Sequence, residues 1–555
     1  MISLSSIKVG NFFTKDEWID RRSGILPGPH PHGVGQTLLW VAGIIISSVV
    51  YFLLYFAPGT LHDSGHYATA GVSLIRDHKD LLYPYFPDSA DGLGPAYKYF
   101  QNHTITFDVR TNYPAKLYTA IYGMICQVTG QMRLEYLQWM SCLSFIAGNI
   151  FLYLTGSRFF RGPDLLLFMI AVIFLPLMRE TVGLGTDGIG ITASLALLWL
   201  CLGMRVNPLV LGLYAGIFAH FRGQMLSVLL VFPFLYTALS DRRFFRGALL
   251  PMVIGFAITY TAMALLFDAM IYSLKSSDPV GFYMQHFKNC LTVHFGVALK
   301  KWLSSFAALF DKSQLFVYAV LAIPSALQRG VSLQKNLAIA AILYVALPMF
   351  LYAFDQYAPV QPRYYMFAAP LLILSIFMTI KTAAVNTSFV IPARGIFLIL
   401  TTIILSAWYV NYGFPFELLK AKSIASRAQF LDFDGVQEAM TANFKDNDIV
   451  IINHSLPTAL SRLHNVIYVP PFKEFQAGDN SEIKGIVFVF SDTAPNDFFK
   501  PKDWLQGNDA LPVTLADSSG LKFKQVYAKT SDVLNSKGGI SERVYFYIYI
   551  NAGRS

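Results

Sequence analysis

The sequence predicts a polytopic α-helical membrane protein with a soluble α/β domain after its last membrane span. Three observations carry this. Of 555 residues, 54% are hydrophobic, 15% aromatic and only 14% charged, a composition that one soluble core does not need. Much of the apolar content comes in runs of bilayer length, since a helix needs about 20 apolar residues to cross hydrocarbon. After Asn411 the runs shorten to strand length.

The first span, Thr37 to Phe56, reads TLLWVAGIIISSVVYFLLYF and carries no charge. It is too long for a cleavable signal, and no small-residue cleavage site follows it. Further spans are expected from Leu134 to Thr155, Asp164 to Met178, Gly188 to Met204, Pro208 to Phe221, Gly223 to Leu239, Ala248 to Phe267, Gln314 to Leu327, Asn336 to Phe354, Tyr364 to Ile380 and Ile391 to Asn411. That makes about eleven spans. Lys8, Lys15, Arg21 and Arg22 precede the first one, which puts the N-terminus in the cytoplasm. Alternation then places Arg158 and Arg161, Arg205, Arg242 with Arg243 and Arg246, Arg329 with Lys335, and Lys381 with Arg394 on the same side, as the positive-inside rule requires. The threading needs Tyr113 to Gly130 not to cross. With Lys116 and scattered polar groups, that stretch suits a juxtamembrane helix in the large first outer loop. The expected location is the plasma (inner) membrane, multi-pass, with the C-terminal domain outside.

The domain boundary is expected near residue 412, giving a transmembrane domain at 1–412 and an extracytoplasmic α/β domain at 413–555. Strand patterns occur in NDIVIINHS, NVIYVPPF, GIVFVFSD and RVYFYIYI, and helical patterns in FDGVQEAMTANFKD and LPTALSRLH. Asp448 and His454 flank the first strand, a common place for loop residues without chemistry. No Gly-rich phosphate loop follows a strand, so a nucleotide-binding module is not expected.

Four cysteines, Cys126, Cys142, Cys201 and Cys290, form no CxxC pair and are absent from the C-terminal domain, which supports neither a disulfide frame nor a Cys-based zinc site. No cofactor is expected, and a divalent metal held by other ligands stays open. The net charge of +9 is spread over membrane-boundary loops rather than in a basic domain, so nucleic acid is not an expected partner.

Asp63, His66, Lys116, Asp187, His220, Arg222 and Arg363 fall at the same end of successive apolar segments, and ionisable groups gathered on one membrane face read as a site. Asp63 stands just past the first apolar run. Partial desolvation there raises a carboxylate's pKa and suits a general base, while the residue by itself more often caps the helix that follows. Asp187, opening an apolar helix, suits a cap or an acidic residue that orients Asp63 or the acceptor.

In order, Asp63, Tyr67, Ala68, Ala70 and Leu74, then Asp80 and Leu81, resemble the D-E-x-x-Y-A-x-x-A-x-x-L and G-D-W-L stretch that opens the first outer loop of GT-C class membrane glycosyltransferases, in the group of protein O-mannosyltransferases and lipid A aminoarabinose transferases. NYPAKLYTAIYGMICQVTG is similar to that group's K-P-P-L-Y-Y-W segment, with Lys116 at the lysine but Ala115 and Leu117 breaking the proline pattern. GTDGIGITASLALLWL resembles its second-loop T-D segment and puts Asp187 at the acidic position. AHFRGQ stands where the group has a K-G-P turn, with Arg222 for the lysine, and QPRYYMFAAP resembles its P-R-Y segment, with Arg363 at the arginine. Ser64 replaces the second member of the D-E pair, leaving Asp63 alone there.

The resemblance implies a hexosyl- or pentosyltransferase that moves a sugar from a polyprenyl-phosphate donor to a glycan, lipid or protein acceptor on the outer face, with inversion. Asp63 would be the base and Asp187 a second catalytic carboxylate. Lys116, Arg222 and Arg363 would share the donor phosphate, whose developing charge calls for fixed cations. His66, Tyr67 and His220 are candidates for touching the sugar or acceptor, and the two histidines equally suit satisfied interface positions. His286, Lys288, His294, Lys300 and Lys301 lie among aromatics, which fits either a flap over the lipid or an ordinary aromatic belt. Two other classes make different demands on the sequence. A lipid or polysaccharide transporter or flippase would put its charges near the midplane in two symmetric halves, and a lipid-linked glycan polymerase or ligase would carry its large loop late in the chain. Here the charges lie at one face, no repeat is visible, and the large loop is the first.

Overall fold

The computed structural model describes residues 34–55, 67, 70–71, 74–75, 116–130, 135–182, 186–222, 228–239, 244–270, 300, 303, 315–328, 332–353, 365–386, 393–413, 433–445, 448–452, 465–468, 472–477, 480–491, 504, 511–534 and 540–554. The chain divides into two compact units. The first comprises Met1–Ala57, Trp139–Leu266 and Asp278–Tyr412, and the second Pro58–Gln138, Phe267–Ser277 and Gly413–Ser555.

The helices in chain order are α1 (Val34–Tyr55), α2 (Lys116–Thr129), α3 (Glu135–Gly156), α4 (Gly162–Ile173), α5 (Thr186–Leu198), α6 (Pro208–Ala219), α7 (Val228–Leu239), α8 (Leu250–Met270), α9 (Leu315–Leu321), α10 (Ile323–Ala326), α11 (Leu333–Ala353), α12 (Ala368–Asn386) and α13 (Ala393–Tyr412). Among the described residues, five helical stretches are long and apolar enough to cross a membrane: Gly35–Tyr55, Tyr136–Gly156, Thr186–Gly203, Phe244–Phe267 and Ala393–Asn411. The third reaches that length because one π turn, Trp199–Gly203, continues α5. Shorter apolar helices run over Gly162–Ile173, Pro208–Ala219, Leu333–Ala346 and Ala368–Ala383. Large apolar side chains on α1, α8 and α13 are exposed, among them Leu39, Leu265 and Val410, as a hydrocarbon solvent allows.

In lipid the hydrophobic effect does not pull helices together, so close backbone approach and interhelical hydrogen bonds take its place. Both occur in the first unit. A methyl group on Gly212 of α6 would run into the Met252 carbonyl of α8, and one on Gly255 of α8 into the Leu209 carbonyl of α6. Gly216, one turn after Gly212, abuts Thr259, whose hydroxyl donates to the Leu213 carbonyl at 2.7 Å. On α11, Leu337, Ala338, Ala340 and Ala341 are fully buried. There the Ser375 hydroxyl of α12 donates to the Gln334 carbonyl at 2.8 Å, and the Asn336 amide to the Phe234 carbonyl of α7 at 2.6 Å. Phe160 in the α3–α4 turn is 0% exposed and packs on Phe168 of α4, Phe377 of α12 and Phe397 of α13.

The second unit holds α2, which is 14 residues long and buries Lys116, Tyr118, Thr119, Ala120, Tyr122, Gly123 and Cys126. At about 21 Å it is too short to cross a 30 Å hydrocarbon layer. The same unit contains α14 (Phe433–Asn443), α15 (Phe472–Ala477) and six strands: β1 (Ile449–Ile452), β2 (Asn465–Tyr468), β3 (Ile483–Ser491), β4 (Thr514–Ala516), β5 (Leu521–Leu534) and β6 (Ile540–Arg554). They form one sheet of order β2-β1-β3-β6-β5-β4. β1 pairs in parallel with β2 and β3, while β6 pairs antiparallel to β3 and β5. β1 is buried at all four positions, which is why it reads as an unbroken Ile-Val-Ile-Ile run rather than an alternating one. One face of the sheet carries a core of Phe475, Phe488, Trp504, Phe523 and Tyr549. The described helix α14 and strands β1, β2, β3 and β6 coincide with patterns legible in the sequence, and LPTALSRLH lies outside the described residues.

Replacing Gly212 by Ala should push α6 and α8 apart, because the new methyl meets backbone that cannot rotate away. A loss of about 1–3 kcal/mol is expected, read as a lower thermal midpoint of the purified protein in detergent, with Gly35→Ala, which meets open space, as the neutral control.

Candidate functional site

One group of candidate residues lies in the first unit, where α5 begins and α6 ends. Asp187 is the second residue of α5, the next described helix after a short 3-10 helix, Pro176–Val182. Gly188 allows this junction, since a side chain there would strike the Thr181 carbonyl. Arg222 follows the end of α6, its amide bonded to the Phe218 carbonyl at 3.3 Å. Its guanidinium Nη1 pairs with Asp187 Oδ1, with the Arg222 side chain buried at 8% exposure and that of Asp187 half-buried at 13%. Gly190 makes room for the pair: a methyl on it would collide with the Arg222 side-chain stem.

His220, the C-cap of α6, is 3% exposed. Its Nε2 lies 3.0 Å from the Tyr260 carbonyl of α8, and because a carbonyl only accepts, Nε2 carries the proton. The ring also stacks on Tyr260 at 4.6 Å. His220 is therefore held by α8 on two sides, and it fixes the backbone two residues before Arg222.

In the second unit Lys116 is the first residue of α2 and is 5% exposed, with its carbonyl accepting from the Thr119 hydroxyl at 3.0 Å. Tyr67 is buried and meets Tyr118 edge to face at 5.3 Å. It belongs to helical residues at 67, 70, 71, 74 and 75, spaced to put one face on α2. At that crossing a methyl on Gly71 would strike the Thr119 carbonyl, and one on Gly123 the Gly71 carbonyl.

Of the residues singled out in the sequence, Asp187 and Arg222 are thus brought into one ion pair. Asp63, His66 and Arg363 lie outside the described residues, as do His286, Lys288, His294 and His454. Asp448 accepts from the Lys445 amide at 2.7 Å, a turn contact that precedes β1. Among the described residues no group of three or more His, Cys, Asp or Glu is placed to hold a metal ion. Sequence reasoning passed over Gly71, Gly123, Gly190 and Tyr260. The signal for Gly190 was a glycine inside an apolar helix, three residues after a candidate carboxylate.

The first unit also contains an apolar groove of about 690 Å³, lined by one stripe of α1 that includes Trp40, Ser47 and Tyr51, by Phe145 and Asn149 of α3, and by α4. It follows α1 from Gln36 to Tyr51, about 22 Å at the helical rise per residue. Its polar floor is self-satisfied, the Asn149 amide donating to the Ser48 hydroxyl at 2.9 Å.

No protein-family model matches the chain, and no curated protein matches its sequence. Among solved structures it is similar to a crystal structure of ArnT from Cupriavidus metallidurans bound to undecaprenyl phosphate, at 11% identity and a TM-score of 0.46, over 93% of this chain and 98% of that one.

The buried pair has a measurable signature. Asp187→Leu or Arg222→Leu alone should cost about 3–5 kcal/mol, because each removes the charged partner of a largely buried ion. The double change to Leu at both positions should recover most of that loss, and a denaturation cycle on the four proteins measures it.

Proposed function

We propose that this chain is a membrane glycosyltransferase that transfers a sugar from a polyprenyl-phosphate donor to an acceptor hydroxyl at the outer membrane face, with inversion at the anomeric carbon. The observation that carries the reading is the buried Arg222 held by Asp187 at the helix ends of an apolar bundle. A guanidinium has the planar, directed donors that phosphate recognition uses, and a carboxylate partner fixes where they point. The pair is neutral overall, so it supplies orientation more than net charge.

Under this reading Asp63 takes the proton from the acceptor hydroxyl as its oxygen attacks the anomeric carbon, and the bond to the phosphate oxygen breaks on the opposite side. The leaving polyprenyl phosphate gains negative charge, which Lys116, Arg222 and Arg363 stabilise. Asp187 then acts on Arg222 rather than on the acceptor, as a positioning carboxylate. The groove along α1 has the apolar lining and the length to hold part of a linear lipid chain. The 413–555 segment is proposed as the extracytoplasmic domain that meets the acceptor or braces the loops.

Asp63→Asn should leave donor binding in place and lower turnover by about two to four powers of ten. Release of free polyprenyl phosphate from a panel of polyprenyl-phosphate sugars, measured in nanodiscs, reads this directly. Arg222→Ala should weaken undecaprenyl phosphate binding by about 1.5–3 kcal/mol, the scale of hydrogen bonds to charged groups. Unchanged binding by that variant, or sugar-lipid movement across the bilayer without donor cleavage, would exchange the transferase for a transporter.

A further inference from the structure

The apolar groove along α1 has two unlike ends. α1 and α3 run antiparallel beside it: the Trp40 ring stacks on Tyr153 at 5.6 Å towards one end, and the Tyr51 ring stacks on Phe145 at 5.1 Å towards the other. At the Tyr51 end the groove meets a wall. Tyr51, Phe145 and Phe174 line it there, and behind them Trp408 of α13 packs on Tyr51 at 5.6 Å and on Phe174 at 5.5 Å. Trp408 is only 2% exposed, and the Tyr51 hydroxyl donates to the Ile173 carbonyl at 3.3 Å, which ties the wall to α4. At the opposite end Gln36 and Leu39 line the groove and are exposed, Leu39 at 75%, so the groove opens there. On the orientation that the loop charges give, this mouth lies in the cytoplasmic leaflet.

The dimensions select the occupant. A space with these apolar walls holds no water, and left empty it forfeits dispersion contacts on every side. Within a bilayer its filler is hydrocarbon, either another helix or a lipid chain. About 690 Å³ spread along about 22 Å is a mean cross-section of about 30 Å². A helix 10–12 Å wide needs about 80–110 Å², so it does not enter. A single extended hydrocarbon chain does. With C–C bonds near 1.5 Å such a chain advances about 1.25 Å per carbon, and 22 Å therefore takes about 17 or 18 carbons.

We propose that this groove seats one acyl chain of a phospholipid from the cytoplasmic leaflet, which enters at Gln36 and ends against the Tyr51–Trp408 wall. A polyprenyl chain whose phosphate stands at the outer face would have to come in through that wall, so the resident lipid is distinct from a sugar donor. The site does not depend on the transferase reading. Gly43 offers a direct probe of it. It lines the groove seven residues from Gln36, about 10 Å along the helix, and a methyl built on it meets no atom within 4 Å. A larger side chain at this position enters the groove and not the packing between helices. Gly35 also faces open space but is not part of the lining.

The test uses the full-length protein in a mild detergent, titrated with single-chain lysophosphatidylcholines whose saturated chains run from about 8 to 20 carbons, a range that brackets the groove length. Native mass spectra count the retained lipid, and the thermal midpoint reads its effect. The wild type should keep one copy and gain most at about 16–18 carbons, with nothing further from a longer chain. Gly43→Leu closes the groove about 10 Å from its mouth and should move the optimum to about 8 carbons, while Gly35→Leu should behave as the wild type. Undecaprenyl phosphate added as competitor should leave the 18-carbon lipid in place. A wild type without a chain-length optimum overturns the proposal by itself, whatever the stability of the variants. An unchanged optimum in a folded Gly43→Leu protein also overturns it, and displacement by undecaprenyl phosphate gives the groove to the donor instead.

Discussion

A backbone amide in hydrocarbon has no water to bond, and this constraint orders nearly everything in the first unit. It makes each long apolar run a helix. Because lipid tails are as apolar as Leu or Val, it also removes any hydrophobic reason for those helices to pack. What holds them is contact at van der Waals range, and the sequence provides for it with glycines at facing positions. Gly212 and Gly216 on α6 meet Gly255 and Thr259 on α8, each backbone resting in the gap that the other leaves. Polar side chains that would be surface decoration in a soluble protein become fasteners, as with Asn336 on the Phe234 carbonyl and Lys381 on the Phe159 carbonyl.

The same dryness explains why the Asp187–Arg222 pair is a choice of geometry. Neither charge is comfortable buried alone, so each fixes the other, and the glycines at 188 and 190 clear the space in which they meet. His220 adds a second constraint by locking the end of α6 to α8 through Tyr260. A guanidinium held in this way cannot drift to accommodate a ligand; a ligand must come to it.

How much of this was legible depends on the range over which each feature is written. Helix and strand content is local, and the apolar runs and the Ile-Val-rich strands announced themselves. β5 did not, because LKFKQVYAKT alternates lysines with its buried Leu521 and Phe523 and so never forms an apolar run. β4 is three residues long and invisible for that reason. Asp187 and Arg222 each stood out as charges at the end of an apolar segment, yet nothing near either one names the other, since their pairing is a property of how α5 and α6 pack. Gly71 and Gly123 were hidden in the same way. A glycine in a helix is a mild cost seen locally and a necessity seen from the helix across from it.

The order of the sheet carries a consequence for how the second unit is made. β6, residues 540–554, lies between β3 and β5 and hydrogen-bonds to both. Until it arrives, the parallel strands β1, β2 and β3 have no partner beyond β3, and β5 can only pair with the three-residue β4. During synthesis the Ile-Val-Phe edge of β3 therefore waits with unsatisfied backbone groups while some fifty further residues are joined, an interval in which another copy of the same edge is its natural competitor. Once the β5–β6 ribbon closes as a local hairpin, it can dock as one piece, and the slow step becomes a single long-range encounter rather than two.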